Sequence, residues 1–211
     1  MKIATFDVDA QKGFTPLCPA ELPVPEGQNI VEELNFMATL GEYRLGSKDA
    51  HPKNAVWVVE KPEEMLQPLD YKEADLTWVR HCEPGKPGFE LLDGLPEPTR
   101  YNYFIWKGIE RNLHPYGACY HDISENLTTG VLEYLQGQKV DLVLVGGLAF
   151  DFCVKTTVLQ LHKAGFPVIV YLPATRALTE EGYDTTKRQL EEKGIRLANS
   201  RQELAEYCSI K

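Results

Sequence analysis

The sequence is short of positive charge and has no long apolar run, and each shortage removes a class of function. Lys and Arg total 22 against 31 Asp and Glu, for a net charge of -9. Phosphate-rich partners need clustered Lys and Arg, so nucleic acid and anionic membrane surfaces are disfavoured. No apolar stretch approaches the roughly 20 residues of a membrane span. MKIATF runs directly into an acidic segment without the pattern of a signal peptide, so the expectation is a cytoplasmic protein with no membrane partner. Cysteine is sparse: Cys18, Cys82, Cys119, Cys153 and Cys208 form an odd, scattered set with no C-x-x-C pair. That argues against a disulfide framework and against a cysteine zinc site. Low-complexity tracts and internal repeats are missing as well, and the 211 residues suffice for one domain with a full core.

The stretch LVLVGGLAFDFCV at 142–154 organises the rest. Val143, Leu144 and Val145 read as a strand buried on both faces, with Gly146 and Gly147 as its flexible exit. Asp151 is the predicted N-cap of a helix over 152–164, whose apolar spacing runs through Val154, Val158 and Leu161 before Gly165 ends it. Cys153 then falls in the first turn, where unpaired backbone N–H groups and the helix dipole favour a thiolate. A buried cysteine that merely fills space behind a strand is the structural alternative.

Other segments supply partners for that sulfur. A first strand over 2–8 ends in carboxylates, and Asp9 lies at its C-terminal end, the edge where ligands of open parallel sheets collect. Asp7 is two residues deeper in the strand. A proline-rich loop over 15–27, a helix over 28–40 and a strand over 43–47 follow, and that strand delivers Asp49 and His51. Residues two apart in extended chain face the same way, so these two side chains project together as a carboxylate and imidazole suited to a metal. Residues 53–98 are rich in Pro, Gly and charge, with no helix predicted, and carry WVRHC at 78–82. His81 is a third candidate ligand there, and Trp78 can wall a flat ligand. Two histidines and one carboxylate leave coordination positions open, as a substrate-binding metal requires.

The strand predicted over 103–107 ends in Lys107, which in a doubly wound sheet reaches the same edge as Asp9 and Cys153. HPYG at 114–117 reads as loop. Helices are predicted over 126–136, 179–193 and 202–208, and strands over 140–145, 166–172 and 195–198. The alternation implies an α/β fold: one doubly wound, mostly parallel sheet with helices on both faces. Residues 1–211 form one domain in this reading, with an irregular insertion at about 53–98.

In these positions the chain resembles the nicotinamidase/pyrazinamidase group of the isochorismatase-like cysteine hydrolases. The resemblance spans nearly the whole domain and rests on DAQKGF at 9–14, matching the family's D-x-Q-x-D-F with Gly13 in place of the second acid, together with KDAHP at 48–52, WVRHC at 78–82, WKG at 106–108 and GGLAFDFCV at 146–154. It implies a catalytic triad of Asp9, Lys107 and Cys153, and a divalent metal on Asp49, His51 and His81, with zinc expected ahead of iron or manganese. It also implies a cis peptide between Leu148 and Ala149, an oxyanion hole from the backbone N–H groups of Ala149 and Cys153, and a pyridine pocket of Phe14, Trp78 and Tyr116. Trp57 falls near a position where some members carry a further metal-facing histidine. Phe150 and Phe152 stand where threonine and tyrosine are common. The implied reaction is hydrolysis of nicotinamide to nicotinate and ammonia through a cysteine thioester, feeding NAD salvage. The implied partner is a small amide, and a homo-oligomer stays open. Hydrolysis of another small amide or ureide, and a non-catalytic binding protein on the same fold, are the alternatives.

Overall fold

Six sheet strands arise from segments whose side chains are buried on alternate faces. They are β1 (Ile3–Val8), β2 (Tyr43–Asp49), β3 (Tyr103–Lys107), β4 (Leu142–Leu148), β5 (Val168–Arg176) and β6 (Arg196–Ala198) in the computed structural model, which describes residues 1–209. The last two residues of the expected 1–211 domain lie outside the described residues. All neighbouring strands pair in parallel, in the spatial order β6-β5-β4-β1-β2-β3.

Alternation along the strands divides the core between the two faces of the sheet. Val143 and Val145 of β4 join Phe6 and Val8 on one face, under α2 (Val131–Gln138), α3 (Lys155–Lys163) and α4 (Glu180–Glu192). Leu142 and Leu144 join Ile3 and Tyr171 on the other, under α1 (Val31–Ala38) and α5 (Arg201–Ser209). With every residue of β4 buried, the continuous apolar run is explained by helices on both sides. The strand order reverses between β1 and β4, and in open α/β sheets that switch point opens a crevice at the carboxyl edge. Gly147 is required there: its φ is +124°, and a Cβ on it would stand 1.9 Å from the carbonyl oxygen of Val8 on the neighbouring strand.

Three helices differ from the sequence expectation, and the one expected over 28–40 is α-helical only over Val31–Ala38, behind a 3-10 turn at Gly27–Ile30. The helix expected over 126–136 begins only at Val131, because the Asp122 carboxylate accepts the backbone N–H groups of Asn126 (3.0 Å) and Leu127 (2.8 Å) and holds that stretch as a capped turn. The helix expected from 152 instead opens with a π-helical turn, Phe150–Val154, and becomes α-helical at Lys155. Asp151 is not its N-cap; its carboxylate accepts from the N–H of Leu178 (2.9 Å) and so ties the turn to the approach to α4. Thr179 does cap α4, accepting from Gly182 N–H at 3.0 Å.

Residues 53–98 contain no α-helix, as the composition indicated. They hold a two-residue parallel pair, Val58–Val59 with Trp78–Val79, and a hairpin of Pro68–Tyr71 and Ala74–Leu76. The region is anchored more deeply than its polarity implied, since Trp57, Ala74, Trp78 and Leu92 are buried in the second core. No helix among the described residues is long and apolar enough to cross a membrane.

Candidate active site and metal nest

Four strand ends deliver the candidate residues to one edge. Asp9 follows β1, Asp49 ends β2, Lys107 ends β3, and Cys153 lies in the turn after β4. Asp49 and Lys107 are register partners, so the lysine crosses the end of β2 to reach Asp9. Its ammonium lies 3.0 Å from Asp9 Oδ2, contacts Asp49 Oδ1, and stands 3.8 Å from Cys153 Sγ and 3.2 Å from the Pro115 carbonyl oxygen. The three residues expected as a triad are therefore brought together, all buried. Asp7, the competing acid, is committed elsewhere: Oδ2 accepts from Arg44 (2.6 and 2.9 Å) and from the Tyr101 hydroxyl (2.9 Å).

The electrostatics separate the two carboxylates that share the lysine. Burial lifts Asp9 to about 6, with Lys107 opposing and Asp49 reinforcing that shift. Burial also acts on Asp49, but Lys107 and His51 overturn it and hold that carboxyl well below the usual range. Asp9 is thereby the group poised to exchange a proton near neutrality, while Asp49 stays ionised. The Cys153 thiol is pushed up by burial, with Asp49 and Asp9 adding to the rise and Lys107 opposing it. Burial thus works against the thiolate that a helix N-terminus favours, and the sulfur yields its proton to a neighbouring base.

Beside this cluster lies a nest of imidazoles. His51 Nδ1 meets the Gly108 carbonyl at 3.2 Å and His81 Nδ1 meets that of Val79 at 2.7 Å, which assigns the proton to Nδ1 in each ring and turns Nε2 toward the nest. His51 Nε2 is 3.4 Å from Asp49 Oδ2. Gly108 is fitted to this contact, because its φ is +74° and a Cβ on it would lie 2.4 Å from the His51 ring. Burial, with His51 next, lowers His81 to about 3, so its ring is neutral and able to ligate.

His51 Nε2 is buried without a hydrogen-bond partner. Such an orphan costs about 1–3 kcal/mol unless something fills it, and a carboxylate with imidazole nitrogens suits a divalent metal. The donors present fit the group. Asp9, Asp49 and Cys153 also bring ligand-type atoms within 4.8 Å of one another, but the Lys107 ammonium already supplies the cation there.

Between the sulfur and the nest is a cavity lined by Phe14, Trp78, His81, Tyr116, Phe152 and Cys153, so every residue expected in the pocket reaches it. Tyr116 is braced, donating to Asp75 Oδ1 (2.8 Å) and accepting from the Trp78 indole (3.3 Å). Trp57 cannot ligate; its indole donates to the Leu113 carbonyl at 3.1 Å and its ring packs against His51. Phe152 shapes the pocket, whereas Phe150 turns into the core beside Tyr183. The peptide between Leu148 and Ala149 is cis, as the resemblance implied.

Sequence reasoning missed four supporting residues. The Ser47 hydroxyl donates to Asp9 Oδ1 at 2.6 Å, and the two-residue rule that joined Asp49 to His51 also puts Ser47 on their side of the strand. Gln11 clamps Asp49 through its backbone, its oxygen accepting from Asp49 N–H (2.7 Å) and its amide donating to Asp49 O (2.9 Å). Glu21 lies where an acid at residue 13 would project: a Cβ at Gly13 would be 2.4 Å from Glu21 Oε2, which accepts the Cys82 N–H at 2.8 Å. His114 reads in the sequence only as part of a loop, yet its ring enters the nest.

A buried acid, ammonium and thiol at the switch point of a parallel sheet, next to a nest of imidazoles, mark a hydrolase of the α/β class. The chain belongs to the isochorismatase family, whose domain model matches residues 4–202. It is 31% identical over 184 residues to the nicotinamidase of Acinetobacter baylyi, covering 85% of this chain and 83% of that protein. Among solved structures, the Acinetobacter baumanii nicotinamidase/pyrazinamidase superposes with a TM-score of 0.83 at 27% identity, covering 96% of this chain and 98% of the other. The Pyrococcus horikoshii pyrazinamidase in complex with zinc gives 0.73 at 25% identity, with 95% and 100% covered.

Proposed function

We infer that this chain hydrolyses nicotinamide to nicotinate and ammonia, with Cys153 as nucleophile. The observation that carries the reading is the single contact cluster of Asp9, Lys107 and Cys153 beside an aromatic pocket that Cys153 lines together with His81 and His114. Its likeness over most of its length to nicotinamidases supports the choice of amide.

Asp9 takes the thiol proton as sulfur attacks the carboxamide carbon, and Lys107 offsets the negative charge gathered there. The anion formed on the carbonyl oxygen is assigned to the backbone N–H groups of Ala149 and Cys153, each contributing about 3 kcal/mol in a site closed to water. Collapse breaks the C–N bond as Asp9 returns its proton to the departing nitrogen, releasing ammonia and leaving a thioester. Water, deprotonated by Asp9, then cleaves that thioester to nicotinate and restores the thiol. Phe14 and Trp78 flank the ring, and Tyr116 closes the wall. Asp49, His51 and His81 would hold one divalent metal, zinc in our reading, whose chemistry when bound is that of a Lewis acid facing a ring nitrogen. Nicotinate so formed would feed NAD salvage.

Ammonia release from nicotinamide, pyrazinamide, benzamide and an N-carbamoyl amine, with and without chelator, tests the proposal. Nicotinamide and pyrazinamide should turn over and benzamide, lacking the ring nitrogen, should not; a metal-loaded protein inert on nicotinamide would refute it. His51→Ala and His81→Ala should each purify with little metal, and full occupancy by elemental analysis would show that the ligands are wrongly assigned.

The pH profile follows from Asp9. It must be ionised to accept the thiol proton, so kcat/KM should fall as pH drops through about 6, the value to which burial raises this acid. The thiol, pushed up by burial, stays protonated on the neutral side and adds no limb there. Undiminished kcat/KM at pH 4.5 would exclude Asp9 as the base.

A further inference from the structure

We propose that His114 is a fourth protein ligand of the metal, making the donor set one carboxylate and three imidazoles. The inference rests on the reading of the nest as a metal site and adds to it a residue outside the set of Asp49, His51 and His81.

The His114 ring is buried and neither of its nitrogens has a hydrogen-bond partner. A neutral imidazole carries one donor and one acceptor, so an imidazole that served only packing would leave both unmet, at about 1–3 kcal/mol each. One nitrogen from each of His51, His81 and His114 falls within 4.8 Å of the others, near enough for small side-chain movements to bring all three onto one ion. The rings are held for this: His114 stacks on His51 (centroids 5.2 Å apart, planes at 29°) and on Trp78 (5.8 Å, 27°).

The backbone around it is equally fixed. Leu113 O accepts from the Trp57 indole at 3.1 Å, His114 N–H donates to Glu73 O at 2.7 Å, and Pro115 O accepts from Lys107 at 3.2 Å. Three successive residues are thus pinned, by the 53–98 region on one side and by the lysine on the other, and the imidazole between them is presented rather than trailing. A ring used only to contact substrate needs no convergence on His51 and His81.

The test compares wild type with His114→Ala, His114→Phe and His51→Ala, each stripped, reloaded with Co2+ or Zn2+ and studied without any amide present. His114→Phe keeps a flat ring against Trp78 while removing the lone pair, and circular dichroism melts check that each variant folds. Zn2+ affinity, measured by competition with a chelating dye, should fall in both His114 variants by more than the 10–100-fold that loss of an outer-shell partner costs, and the Co2+ visible spectrum should shift. X-ray absorption of the zinc-loaded wild type should count three imidazoles, an observation that does not depend on a variant folding. A count of two, or affinity and spectrum unchanged in folded His114→Phe while His51→Ala loses metal, would overturn the proposal and leave the three-ligand site standing. Full metal retention by His51→Ala would refute the nest itself, whatever ammonia release shows.

Discussion

Cys153→Ala should abolish ammonia release from nicotinamide, by on the order of 10^4-fold or more as for loss of a nucleophile in other covalent hydrolases, and leave metal content unchanged. The sulfur lines the pocket within reach of Lys107 and can form a covalent bond to the carboxamide carbon while Asp9 accepts a proton. The nest stands on other elements, so its loading does not depend on the sulfur. Removing one buried sulfur costs about 1 kcal/mol of stability, so the melting temperature should move little and inactivity would not be unfolding. Mass spectrometry of acid-quenched wild type during turnover should show a nicotinoyl adduct on the peptide bearing Cys153. An alanine variant with measurable turnover, or an adduct on another residue, would remove the covalent scheme.

Lys107→Met should be nearly inactive and also markedly less stable. The ammonium is fully buried and serves two carboxylates at once. Breaking a buried ion pair by deleting one partner costs about 3–5 kcal/mol, because the remaining charge is left uncompensated. Methionine roughly preserves volume, so the loss is one of charge. The deficit has a pH signature. Without the ammonium, Asp9 rises further above its unfolded value, and a carboxyl with a raised folded pKa binds more protons folded than unfolded. Stability of the variant relative to wild type should therefore worsen as pH rises through and beyond about 6, the value Asp9 already has with the lysine present. Adding Asp9→Asn should recover part of the stability and none of the turnover. Denaturant melts at pH 5 and 8 decide it: a pH-independent deficit, or catalytic recovery in the double variant, would show that the lysine does not act through its charge.

Legibility in the sequence followed from how local the physics was. Asp9, Asp49 and Lys107 could be placed at the carboxyl edge because each ends an apolar run whose period identifies a strand, and strands in a parallel sheet finish on the same side. Asp49 and His51 shared a side by two-residue spacing alone. The π-helical turn at 150–154 was invisible, since its residues fit an ordinary helix pattern and only the tie from Asp151 to Leu178, distant in sequence, reveals why Asp151 is no cap. The burial acting on the thiol is hidden for a related reason: a helix terminus can be read locally, whereas desolvation is set by what the whole fold stacks above it.

What the chain determined by itself is the parallel architecture and the identity of most groups at its edge, because hydrophobic period and turn chemistry act within a few residues. What the tertiary structure alone decided is which groups share a charge and which rings converge. Lys107 divides itself between two acids on different strands, Glu21 fills the space left at Gly13, and His114 meets His51 from 63 positions further along the chain. Coulomb energy and burial depend on distance through space and on the surrounding dielectric, and neither is written in the order of residues.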